Sequence, residues 1–177
     1  MTLFGHDHAS TPMLDHEVAR NLKTPAFVCD EGILRADSSR VTGLARASGC
    51  RALYSPKANS LHEVIGNISE HVDGFAASSL FEAKLINQVA RAGQTVHLTN
   101  PGLRPDEIDA VAAACDYVSL NSLSQWGMHG AVLAGQVKCG LRVNPEMPLV
   151  RDLRYDPCRE NSKLGVPLQH LEEYQDS

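Results

Sequence analysis

Arg51-Ala-Leu-Tyr-Ser-Pro-Lys57-Ala-Asn59-Ser60-Leu-His-Glu63 passes from an apolar, strand-like run through a proline and a lysine into a helix start. The same passage recurs down the chain. Strand-like runs are predicted at Ala26 to Cys29, Arg51 to Lys57, Gly74 to Ser79, Val96 to Asn100, Tyr117 to Asn121 and Cys139 to Asn144. From Arg51 onward they begin about every 21 to 23 residues, close to the shortest strand-loop-helix-loop unit. That spacing predicts a regular array of parallel strands crossing over through helices.

The intervening segments have helical period and chemical start signals. Phe81 to Ala92 places Phe81, Leu85 and Val89 on one stripe with Ile86 and Ala90 beside it, and Gly93 ends it. Ser60-x-x-Glu63 and Ser79-x-x-Glu82 have capping-box spacing, and Pro105 with Asp106 and Glu107 opens the next helix. No GxGxxG or GxxxxGK[ST] follows the early strands, so a dinucleotide or P-loop site has no support.

An array of this kind is either an open doubly wound sheet or a (β/α)8 barrel. About five strand positions are counted from Arg51 to Asn144, whereas a barrel needs eight. After Pro145 the text reads as loop with one short polar helix at the end. An unclosed array leaves strand edges and helix stripes uncovered, so the expectation is a truncated chain: a flexible arm over 1–23, then, in the barrel alternative, a partial (β/α)8 barrel domain over 24–177.

Composition sets outer limits. The 177 residues are 43% hydrophobic and 21% charged, as in an ordinary globular protein. A net charge of −5 argues against a partner held through nucleic-acid phosphates. No long apolar span or leader precedes the five scattered cysteines, which read as reduced thiols of a cytoplasmic protein. His6, Asp7, His8, Asp15 and His16 could be imagined as a metal cluster, but a polar terminal arm is the simpler reading and no metal site is expected.

The residue that stands out is Lys57, an ammonium at the expected end of a buried strand. It is a lysine snorkelling to solvent, a Schiff-base lysine attacking a substrate carbonyl directly, or a Schiff-base lysine holding pyridoxal phosphate (PLP). Active sites of βα barrels lie at the carboxyl ends of strands, which favours a functional role without choosing between the last two.

Tyr54-Ser-Pro-Lys57-Ala-Asn59 resembles the YxxKAN signature of the alanine-racemase and ornithine-decarboxylase-like (fold-type III) PLP enzymes. Within that superfamily the chain is most similar to the carboxynorspermidine (carboxyspermidine) decarboxylases. Further motifs carry the likeness: Thr24-Pro25-Ala-Phe-Val, Ala77-Ser-Ser-Leu-Phe-Glu82, Asn121-Ser-Leu-Ser-Gln125, Gly140-Leu-Arg-Val-Asn-Pro-Glu146, Tyr155-Asp-Pro-Cys158 and Ser162-Lys-Leu-Gly165.

The resemblance implies that Lys57 is the catalytic residue and covalent anchor of PLP. Asn59 shapes the turn after it, unless it only caps the helix. Ser79 lies by the cofactor, although its capping role already accounts for it, and Arg142 lies near the cofactor ring. It further implies decarboxylation of carboxynorspermidine or carboxyspermidine to norspermidine or spermidine in a homodimer with a shared site.

Two departures are informative. Ala76 stands where ornithine-decarboxylase relatives carry an acid, pointing away from ornithine or lysine as substrate, and Lys163 stands where arginine is common. The stacking histidine, the glycine-rich phosphate loop, the acid facing the pyridine nitrogen and the C-terminal β-domain have no counterpart in the 177 residues, so this chain is expected to be inactive alone. The alternatives are a non-catalytic truncation product or half-barrel needing a partner, and another PLP decarboxylase or racemase of the same fold. His97 reads as a polar strand residue, Trp126 as helix packing and Cys158 as a loop thiol without a base beside it.

Overall fold

A computed structural model describes residues 16–159 and 161–175; the imagined cluster around His6, Asp7, His8 and Asp15 lies outside them. The chain divides into two compact units after Asp30. In the first, α1 covers His16–Asn21. The run expected as a strand at Ala26 to Cys29 forms none, and Phe27 is fully exposed. A four-residue apolar run does not hold a strand conformation by itself.

The second unit begins with α2 (Glu31–Ala47) and continues as β1 (Leu53–Tyr54), α3 (His62–Ser69), β2 (Gly74–Ala77), α4 (Leu80–Asn87), β3 (Thr95–Thr99), α5 (Ile108–Ala114), β4 (Tyr117–Leu120), α6 (Leu123–Ala134) and β5 (Lys138–Leu141). A single 3-10 turn, Pro105–Glu107, leads into α5. All five strands pair parallel in the order β1-β2-β3-β4-β5. A doubly wound sheet reverses its strand order at a switch point and carries helices on both faces; this sheet does neither, and it has the winding of a barrel.

Alternation along the strands separates the two faces. Phe75, Val96, Leu98, Val118 and Leu120 are buried with Ile65, Ile86, Val111 and Leu133 of the helices. Each such side chain contributes about 1.5–3 kcal/mol by leaving water. α4 packs on β2 and β3, α6 on β4 and β5, and α5 lies between those two helices. The opposite face presents Ala76, Thr95, His97, Thr99, Tyr117, Ser119, Lys138 and Gly140, none of them buried.

The amino end of the sheet is stapled by two aspartates. The Asp73 and Asp116 carboxylates accept the amides of Ala52 and Val96 at 2.9 and 2.7 Å, while their own amides donate to the carbonyls of those same residues. Each acid thus extends a parallel ladder by one rung beyond the strand in front of it.

Several boundaries differ from expectation. β1 ends at Tyr54 rather than at Lys57. α4 stops at Asn87, because the Val89 and Ala90 amides both turn back onto the Ile86 carbonyl and tighten the last turn. Ser60 caps nothing: α3 starts at His62 with Leu61 at its N-cap position, and the Asn59 side chain takes the Leu61 amide instead. Ser79 does cap α4, accepting from the Glu82 amide at 3.1 Å, but Glu82 reaches back to the amide and hydroxyl of Ser78 rather than to the Ser79 amide.

The segment after Pro145, expected as loop, supplies a sixth strand position. β6 (Val143–Asn144) pairs parallel with β7 (Val166–Pro167), which leads into α7 (Leu168–Gln175). Arg142 joins the two sheets: its amide donates to the Leu120 carbonyl and its carbonyl accepts from the Val166 amide, both at 2.8 Å. A two-residue strand gives no periodic signal, which is why it does not read as one.

Candidate active site

Because every strand runs the same way, the residues that follow β1, β2, β4 and β5 gather at one end of the sheet. Lys57 is held there by its neighbours. Pro56 is fully buried, the Ala58 amide donates to the Ser55 carbonyl, and the Tyr54 hydroxyl donates to the Asn59 carbonyl at 3.0 Å, closing the turn over Lys57. Lys57 itself is exposed and in no ion pair among the described residues. The strand expected to run to Lys57 is therefore corrected: β1 stops three residues earlier, and Pro56 rather than Lys57 is buried.

Asn59 uses its side-chain oxygen on the Leu61 amide, leaving its NH2 group facing outward from that turn. Ser79 uses its oxygen on the Glu82 amide and keeps its hydroxyl hydrogen to give. Arg142, half-buried between β5 and β6, forms no salt bridge with a described carboxylate. The four residues share the carboxyl end, but Lys57 follows one edge strand and Arg142 the other. Four strand spacings of about 4.8 Å separate their ladders along the sheet, so they meet only across a curved bore.

Two residues that hold this end of the sheet together were not assigned a role from sequence. Buried Asn121 donates to the Lys163 carbonyl at 2.7 Å and accepts from the Gly165 amide at 2.9 Å, latching the start of β7 to the end of β4. Gly165 has φ of 87°, and a Cβ there would stand 2.9 Å from the Asn144 amide nitrogen, so only glycine fits. The signal was present in Ser122-x-x-Gln125: Ser122 caps α6 through the Gln125 amide and Gln125 accepts from the Asn121 amide, repeating the Ser78-Ser79-Glu82 arrangement.

The remaining candidates settle as structural. Trp126 packs on the core and lies along Gly130, one turn further on. The Cys158 amide donates to the Asp156 carboxylate, an Asx turn in which the thiol takes no part. Cys115 is pushed up to about 12 by burial, and is inert. His97 stacks on Tyr117, ring centroids 4.2 Å apart; burial and then the charge of Arg51 hold its pKa below the ordinary value, against Asp116.

A one-sided parallel βα array with polar donors at its carboxyl end is part of a (β/α) barrel. No family model matches the chain, but individual proteins do. Over 155 residues, 87% of this chain and 40% of the relative, it is 31% identical to the carboxyaminopropylagmatine decarboxylase of Synechocystis. It is 26% identical to the carboxynorspermidine/carboxyspermidine decarboxylase of Campylobacter jejuni, over 85% of this chain and 39% of that protein. The crystal structure of carboxynorspermidine decarboxylase complexed with norspermidine from Campylobacter jejuni superposes with a TM-score of 0.73 at 25% identity, covering 85% of this chain and 38% of the other. Over most of its length the chain is similar to these decarboxylases, and it spans about 40% of the length of the relatives it matches. No described helix is long and apolar enough to cross a membrane.

Proposed function

We propose that this chain is the lysine-bearing part of a PLP-dependent decarboxylase of carboxylated polyamines, carboxynorspermidine and carboxyspermidine among them. The observation that carries the reading is Lys57: an unpaired amine on a turn fixed by buried Pro56 and the Tyr54 hydroxyl, at the carboxyl end of the first strand.

The donor set suits an anionic, phosphorylated carbonyl compound. Lys57 offers an amine for the carbonyl, the Asn59 NH2 and Ser79 hydroxyl retain hydrogens to give, and Arg142 presents a guanidinium that no described carboxylate occupies. When bound, PLP supplies the sink for the electrons released as CO2 departs. Lys57 would hold the cofactor covalently through its amine. Ser79 and Arg142 would help hold it from the ends of β2 and β5. Ala76, facing inward beside His97 in the β2-β3 register, removes an acid that a short diamine would need, which suits a longer substrate with its charges further from the reacting carbon.

The open inner face and the exposure of Lys57 favour a polypeptide that gains its site only in a larger assembly, a homodimer of the full-length cytoplasmic enzyme. The isolated 177-residue chain is accordingly expected to release little or no CO2 from carboxynorspermidine. Robust release by the purified chain overturns this part of the reading. The anchor is tested separately by reducing the PLP-treated chain with borohydride and locating the adduct. Lys57 should carry it, and Lys57→Ala should lose it.

A further inference from the structure

One row of side chains crosses the uncovered face of the sheet: Ala76, His97, Tyr117 and Lys138 stand opposite one another in successive strands. It is already ordered. The His97 and Tyr117 rings stack at 4.2 Å and 4°, Thr95 Oγ1 lies 2.9 Å from His97 Nε2, and Lys138 Nζ donates to the Tyr117 hydroxyl at 3.2 Å and sits 5.0 Å from its ring centre. An open cavity of about 370 Å³ is lined by His97, Tyr117 and Lys138 together with Thr99 and Ser119.

The charge on this face is one-sided. By strand alternation it carries His97, Lys138 and, at the end of β5, Arg142, and no Asp or Glu among the described residues. The nearby acids are committed elsewhere. Asp116 accepts the Val96 amide and makes no ion pair with Lys138, and Asp73 accepts the Ala52 amide and pairs with Arg46 at 2.6 Å. Lys138 is now exposed to water. Closing a barrel over it removes that water, and a buried ammonium whose only partners are a phenol and a ring face is costly unless a carboxylate arrives with the covering surface.

We infer that the row His97, Tyr117 and Lys138 is the seat for a carboxylate side chain delivered by the βα polypeptide that closes the barrel. A second copy of this chain does not fit, because it would set the same cations against themselves. The inference rests on the fold and not on PLP, so it stands or fails independently of the cofactor reading.

The test is co-expression of the 177-residue chain with a probe: the part of the Campylobacter relative outside the region this chain matches. Association is read by sedimentation without added cofactor. The wild-type chain should form a one-to-one complex. Lys138→Arg should retain it, while Lys138→Glu should weaken it at least tenfold with an unchanged circular dichroism spectrum, and a Glu-to-Lys or Asp-to-Lys change at one inward-facing position of the probe should restore binding to Lys138→Glu. Absence of a complex, assembly of the chain with itself through this face, or a complex indifferent to Lys138→Glu overturns the inference.

Discussion

Lys57 depends on residues that do no chemistry themselves. Pro56 enters the core and the Tyr54 hydroxyl bonds the Asn59 carbonyl, so the lysine is presented by a clamped turn rather than by a strand. Asp73 shows the same economy at the other end of the sheet. Its pKa is lowered, first by the Ala52 amide and then by Arg46, against a smaller cost of burial. A folded-state value below the unfolded one means that the stabilisation is complete above the ordinary aspartate range and is lost as pH falls through the folded value. The contribution of Asp73 should therefore hold steady down to about pH 4 and be lost below it, and Asp73→Asn should flatten that part of the acid limb in a pH series of thermal melts. An unchanged acid limb in Asp73→Asn would show that the carboxylate staple contributes nothing.

At the scale of elements, the helix starts separate what a sequence pattern can show from what it cannot. Ser60 and Ser79 share the Ser-x-x-Glu spacing, yet only Ser79 caps, because Asn59 takes the Leu61 amide first. Ser79→Ala should cost about 1 kcal/mol in denaturant unfolding, whereas Ser60→Ala should stay within about 0.5 kcal/mol of wild type; equal losses would refute the distinction. The latch from β4 to β7 is similarly local. Asn121→Ala removes two hydrogen bonds from a buried site and should cost about 1–3 kcal/mol, with the Val166 amide exchanging faster than those of β3. The five parallel strands were legible because each repeats an apolar run, a short loop and an amphipathic helix. β7 was not, since two residues have no period and its position is fixed through Asn121 and Arg142, which are distant in sequence, together with the turn at Gly165.

For the whole molecule, strand order and one-sided helices select the barrel winding that sequence left undecided between two α/β architectures. Strand pattern singled out Lys57 and resemblance added Asn59, Ser79 and Arg142; the parallel sheet sets all four at its carboxyl end. What could not be read was their exposure: an apolar run ending in lysine looks like a buried strand until Pro56 is seen to occupy the core instead. The same sheet that carries the candidate site at its carboxyl end leaves a polar row open to solvent on its inner face, and the chain spans about 40% of the length of its relatives. The most direct measurement is peptide mapping of the chain after PLP treatment and borohydride reduction, comparing Lys57 with Lys23, Lys84, Lys138 and Lys163 in wild type and in Lys57→Ala. The account predicts that Lys57 carries the adduct in preference to the other four and that the Lys57→Ala chain loses it; an adduct spread evenly over the five lysines, or undiminished in Lys57→Ala, would contradict it.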